Sequence, residues 1–309
     1  MCISIVLRPL FALALLLAPV CGWSQSTQKL TIVSSIRPLS LLASDLVVGL
    51  PVEVKTLLPA NADPHNWSMR VSDRQLLASA DLMVWLGPDF ENFLTKPLKQ
   101  LPRERQLELG ALPALQWPNE DGDEHDHSSH HDHHHHAGRD MHLWLNPNNA
   151  LEIQTALAQR LTELRPDWRE ILQERLQQQI ALLKNIQADI QRKLSPHRQN
   201  GFIAYHDTYA HFVATFGLRQ LDAVNQFAEQ RLSAKALQRL QVHAQSARCL
   251  LTEKQDAQEL RTAKMLALPV VVADALALNS EVTTYADFIG NISAAFENCI
   301  SFAPKYSDR

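Results

Sequence analysis

Histidine is the residue whose number and spacing could do chemistry here. The chain holds fourteen, and eight of them fall in one short run: His125, His127, His130, His131, His133, His134, His135 and His136. The surrounding segment, NEDGDEHDHSSHHDHHHHAGRD at 119–140, has no apolar periodicity and cannot offset the entropy of ordering, so it is predicted to be a mobile, disordered loop. Imidazoles that are neutral at and above about pH 6.5 ligate Zn, Cu or Ni, and the interleaved Asp and Glu add negative charge. Such a run is expected to bind several ions weakly and exchangeably. Its internal position and its interruptions by Asp and Ser argue against an engineered tag.

Three more histidines sit at the ends of predicted strands. His65 lies in the loop Asn61-Ala62-Asp63-Pro64-His65, His142 leads Leu143-Trp144-Leu145, and His206 closes Phe202-Ile203-Ala204-Tyr205. Asp274 ends Val270-Val271-Val272-Ala273 in the same way. Any one of them alone is an ordinary loop or buried residue. Three neutral imidazoles and a carboxylate together make a tetrahedral site suited to Zn. No two of these residues are within helical or hairpin distance, so they can converge only if the halves of the chain that carry them face each other. His197, His211 and His243 read as surface or packing residues.

Short β-branched runs alternate with helical patterns, which predicts βα units and mostly parallel sheets. Strands are expected over 30–36, 52–57, 82–86, 142–145, 202–205, 249–252 and 269–273. Helices are expected over 39–48, 73–80, 90–101, 208–216, 234–246, 257–267 and 285–300. Ser72 with Gln75 offers a capping box for the second helix, and Asn146-Pro147 an N-cap and first-turn proline for a helix reaching about Leu164. From Pro166 apolar residues recur every three or four positions to Leu194, a single helix roughly 40 Å long with no internal Gly or Pro. Its polar face is Gln-rich rather than charged at coiled-coil flanking positions, which favours a strut between two lobes over a dimer seam. The expected architecture is therefore α/β: an N-terminal lobe at 27–165, a linking helix at 166–195 and a C-terminal lobe at 196–309. Ligands of such sheets collect at the carboxyl ends of the strands.

The opening residues place Arg8 before an apolar run from Pro9 to Val20 and small residues around Cys21-Gly22, which predicts a signal peptide over 1–24 and an exported mature protein. Cleavage removes Cys2 and Cys21. The remaining pair, Cys249 and Cys299, reads as a disulfide in an oxidising compartment, and no C-x-x-C supports a redox role. The 309 residues are 46% hydrophobic and 20% charged, which excludes a disordered chain or a polytopic membrane protein. Twenty-nine Lys+Arg against 33 Asp+Glu give a net charge of -4, leaving no basic excess for nucleic acid. Nine glycines and no phosphate-binding Gly-rich motif disfavour nucleotide chemistry. A zinc hydrolase needs an open coordination position and a general base, and the chain has no H-E-x-x-H.

Four stretches carry a resemblance: LLPANADPHNWSMRVSDRQLLASADLMVWLGPDFENFL, MHLWLNPNNA, YHDTYAHFVATFGL and the region from Cys249 to Cys299, with the acidic histidine loop just before MHLWL. On them the chain resembles the metal-specific solute-binding proteins of ABC importers, in particular their periplasmic zinc-binding members, over essentially all of the mature sequence. The resemblance implies two α/β lobes joined by a rigid helix, with metal in the cleft between them. It implies a monomer that captures Zn²⁺ for an inner-membrane ABC permease and catalyses nothing. Carried over by position, it makes His65, His142 and His206 the metal ligands and Asp274 or water the fourth. Manganese-type relatives tend to have a carboxylate at the third step, so an imidazole at 206 shifts the preference from Mn or Fe toward Zn. The chain departs from the pattern at Pro64, at 227–232 and at Lys254. Glu253 reads equally as an outer partner of the site or as a surface acid at a strand end.

Overall fold

The computed structural model describes residues 29–60, 62, 67–118, 139–225 and 233–303. His65, the eight histidines from His125 to His136 and the expected signal segment lie outside the described residues. Within them the chain builds two parallel sheets of four strands each. The first uses β1 (Leu30–Ser34), β2 (Val52–Thr56), β3 (Leu82–Trp85) and β4 (Gln106–Glu108) in the order β2-β1-β3-β4. The second uses β5 (Gly201–His206), β6 (Arg219–Asn225), β7 (Ala247–Thr252) and β8 (Val270–Val272) in the order β6-β5-β7-β8. All neighbours pair in parallel. Each sheet reverses its winding between its first and third strands, β1/β3 and β5/β7, and such a switch point opens a crevice at the carboxyl ends.

The helices are α1 (Arg37–Val47), α2 (Val71–Ser79), α3 (Thr95–Leu98), α4 (Pro147–Leu164), α5 (Arg169–Leu194), α6 (Ala210–Phe216), α7 (Ala234–His243), α8 (Ala257–Leu266) and α9 (Tyr285–Ser301). α5 is the expected strut: 26 residues, preceded and followed by single 3₁₀ turns at Pro166–Trp168 and Ser195–His197. It packs on α1 and α4 at one end of the molecule and on α6 and α9 at the other. One apolar cluster runs through both lobes, from Ile32 and Leu42 through Trp144, Leu157 and Leu172 to Phe212, Tyr285 and Phe296.

Local sequence explains most boundaries. Asn146 caps α4, its side chain accepting from the Asn148 N–H at 2.9 Å, and Pro147 occupies the first turn. Gly217, at φ 62°, takes the left-handed residue that stops α6. Cys249 of β7 and Cys299 of α9 form the expected disulfide, with Cα atoms 5.4 Å apart.

Four expectations are corrected. Residues 142–145 are not a strand: His142 precedes a 3₁₀ turn over Leu143–Leu145, all three buried. A short apolar run reads alike in either form, and here the sheet edge is already taken by β4, which the sequence patterning missed along with β6. The helix expected at 90–101 is broken into a 3₁₀ turn at Asn92–Leu94 and the one-turn α3, with Pro97 inside it. α2 begins at Val71 rather than with Ser72 as its cap; the Asp73 carboxylate reaches back to the Arg70 N–H at 2.7 Å. Finally, the last two residues of the 119–140 segment are held in place, Arg139 stacked 4.7 Å over the Trp117 ring and Asp140 as described next.

Candidate metal centre

His206 ends β5, Glu253 follows β7 and Asp274 follows β8, so three polar side chains stand at the carboxyl ends of three adjacent strands. His206 and Glu253 straddle the switch point of the second sheet. The Glu253 Oε2 lies 3.2 Å from the His206 Nδ1, while Oε1 accepts from the Thr208 hydroxyl at 2.8 Å. Glu253 is thus the outer partner of an imidazole, not a surface acid. Burial pushes its pKa up, but the hydrogen bond and charge of His206, the Thr208 hydroxyl and the charge of His142 outweigh this and leave the carboxyl below its ordinary value. With Nδ1 held, the His206 Nε2 is buried and has no protein partner. A buried ring nitrogen without a partner costs free energy unless something binds it. An imidazole oriented by a carboxylate through its other nitrogen is the usual arrangement of a zinc ligand.

His142 repeats the pattern in the first lobe. Its Nδ1 lies 2.6 Å from the Asp140 Oδ1, which also accepts the His142 main-chain N–H at 3.0 Å. Burial alone would lower the His142 pKa. The charge and hydrogen bond of Asp140, with the charges of Glu253 and Asp207, overcome it and raise the value. Asp140 is correspondingly held below the carboxylate range, since the charge and hydrogen bond of His142 and the charge of His211 outweigh its burial. Phe90 packs edge-on against the His142 ring, 5.3 Å between centroids, and Trp144 lies beside it at 5.2 Å. Sequence reading missed Asp140 because its neighbours are acidic and histidine-rich; the available signal was an Asp two residues before a candidate ligand, a spacing suited to an Asx turn.

Three hydrogen bonds bring the lobes together at this point. The Trp144 Nε1–H donates to the Ala275 carbonyl at 2.7 Å, the Tyr285 hydroxyl donates to the Trp144 carbonyl at 2.7 Å, and the His211 Nε2–H donates to the Asp140 carbonyl at 2.8 Å. The residue two beyond His142 is therefore bonded to the residue one beyond Asp274. Asp274 itself is fixed in a turn, accepting the Leu276 and Asn279 N–H groups at 3.2 and 3.0 Å. Burial raises its pKa, those backbone donors oppose the rise, and the nearby charge of Glu253 adds to it. Among the described residues no group of three or more His, Cys, Asp or Glu is placed to hold an ion. The structure pairs each imidazole with its carboxylate, and the charges of His142 and Glu253 act on each other. His197 is half-buried and His243 pairs with Asp222 at 2.9 Å, both apart from this centre. His211, expected to be a packing residue, is buried but polar in its role.

A family model described as "Zinc-uptake complex component A periplasmic" (ZnuA) matches residues 32–299. The chain belongs to the ZnuA family. The high-affinity zinc uptake system protein ZnuA of Yersinia pestis is 32% identical over 290 residues, covering 87% of this chain and 91% of the relative. The Haemophilus ducreyi protein of the same name is 30% identical, covering 87% and 93%. Among solved structures, a crystal structure of ZnuA superposes with a TM-score of 0.72 at 23% identity, over 88% of this chain and 98% of that one. The periplasmic zinc-binding protein TroA from Treponema pallidum gives 0.72 at 18%, over 88% and 99%. Membership of the ZnuA family accounts for the doubled sheet and the long strut, which these structures share.

Proposed function

We propose that this protein captures Zn²⁺ as cargo between its two lobes in the periplasm and delivers it to an ABC permease of the inner membrane. The observation that carries the reading is the buried Nε2 of His206, oriented by Glu253 and without a protein partner. His142, presented in the same manner by Asp140, supports it from the other lobe. His65 and Asp274 are the proposed remaining ligands. Borderline-soft imidazoles suit Zn²⁺ better than the carboxylate-rich sets that suit Mn²⁺, and the ZnuA family is a zinc-uptake family. On this reading the protein is a carrier that makes and breaks no bond, as fits membership of a zinc-uptake family. No helix among the described residues is long and apolar enough to cross a membrane.

Metal analysis and calorimetric titration of the purified mature protein test this reading. One tight Zn²⁺ per chain, preferred over Mn²⁺, is expected. Tight Mn²⁺ in place of Zn²⁺, or hydrolysis of a test ester by the loaded protein, overturns it. Deletion of 119–138, which spares Arg139 and Asp140, should remove additional weak equivalents and leave the tight ion, because a segment without apolar periodicity in its sequence bears an ordering cost on binding. Loss of the tight ion with the loop would place the main site in the loop.

Asp274 would complete the tetrahedron and offset the ion's charge. Its oxygens keep lone pairs beyond those engaged by backbone donors. Asp274→Asn should lower zinc affinity on the order of tenfold or more. Because Oδ1 and Oδ2 each accept one backbone N–H and an amide keeps only one acceptor oxygen, one of those turn bonds is lost, and circular dichroism checks that the variant is folded. An unchanged affinity by chelator competition would assign the fourth position to water.

A further inference from the structure

We propose that His211 is a positioning residue of the zinc site: from the C-terminal lobe it holds the main chain of Asp140, and through Asp140 it sets the orientation of His142. The proposal rests on the reading that His142 binds zinc, and it adds a residue that nothing in the ligand set requires. His211 lies on α6, is 1% exposed, and points its Nε2 at the Asp140 carbonyl at 2.8 Å. A carbonyl only accepts, so Nε2 carries the hydrogen and Nδ1 is the acceptor. That tautomer agrees with the other side of the ring, where the Asn149 Nδ2 stands 3.4 Å from Nδ1. The Asn149 amide is itself locked in register, its oxygen accepting the Gln116 N–H at 2.8 Å and its nitrogen donating to the Gln116 carbonyl at 2.9 Å. The imidazole is therefore a fixed donor aimed at one peptide.

Asp140 joins this donor to the metal ligand. Its carbonyl is bonded to His211, while its Oδ1 takes both the main-chain N–H and the ring Nδ1–H of His142. Rotation of the Asp140 peptide would carry the carboxylate with it and release the His142 ring. Because the donor comes from the opposite lobe, docking of the lobes and aim of the N-terminal ligand are set by the same contact.

A double-mutant cycle on the full mature chain tests this, with zinc affinity read by competition against a chromophoric chelator. His211→Leu and Asp140→Ala should each weaken zinc on the order of tenfold or more, the range for outer partners of metal ligands. The double variant should be no weaker than Asp140→Ala alone, because His211 acts through that side chain. His211→Gln, whose amide still donates, should recover most of the affinity. His211→Met, another residue without a donor, enters the same cycle beside Leu, and circular dichroism confirms that each variant is folded. Affinity unchanged in folded His211→Leu or His211→Met, or penalties that simply multiply in the double variant, would overturn the proposal. A wild-type chain without a tight zinc ion, or His142→Ala with unaltered affinity, would instead strike the underlying site reading.

Discussion

Replacing His142 and His206 together by alanine is expected to abolish the tight zinc site, with affinity falling by well over the roughly 10–100-fold that loss of an outer partner costs. In the proposed site each ring would supply one of very few bonds to the ion, and each is held by a carboxylate. The variant leaves Asp140 and Glu253 without their strongest partners, so a loss of stability of about 1–3 kcal/mol per stranded group accompanies the loss of metal. Chelator competition reads the first effect and urea unfolding of the metal-free proteins the second. His197→Ala and His243→Ala serve as controls. The former removes a half-buried ring from the turn after α5, and the latter one partner of a part-buried pair with Asp222. Both should bind zinc as the wild type does. A double variant that still held one ion with unchanged affinity would sink the assignment of the cleft as the site.

The second large effect concerns stability rather than metal. Cys249→Ala with Cys299→Ala should lower the free energy of unfolding by about 4 kcal/mol, the chain-entropy value for releasing a loop of this length. The bridge spans 50 residues of sequence, and both sulfurs are fully buried where α9 packs on β7. It fastens the last helix to the sheet that carries His206 and Glu253. α9 also gives Tyr285, whose hydroxyl grips Trp144 and whose N–H is accepted by the Asp45 carboxylate of α1 at 2.9 Å. Equilibrium urea unfolding of wild type and variant, with reduced wild type as a third sample, measures the difference. A change under about 1 kcal/mol would show that α9 is held by packing alone.

Periodicity and residue chemistry within the sequence determined the two α/β lobes, the strut from Pro166 to Pro196, the Asn146 cap, the Gly217 stop and the pairing of the two remaining cysteines. Each depends on neighbours along the chain or, for Cys249 and Cys299, on the expected loss of Cys2 and Cys21 with a signal peptide. The sequence also singled out His65, which lies outside the described residues, and His142, His206 and Asp274 as chemistry-bearing residues at the ends of apolar runs. It could not show how the lobes that carry them are arranged, because that depends on how one docks on the other. Only the tertiary structure supplied the Trp144–Ala275 and His211–Asp140 hydrogen bonds that decide it. It alone turned 142–145 from an expected strand into a 3₁₀ turn, since the choice lies with what surrounds a short apolar run. The same holds for Asp140 and Glu253. A carboxylate that orients a histidine leaves little mark on sequence when it stands among other acids or 47 residues away, and its role exists only where folding has placed it within a hydrogen bond of the ring.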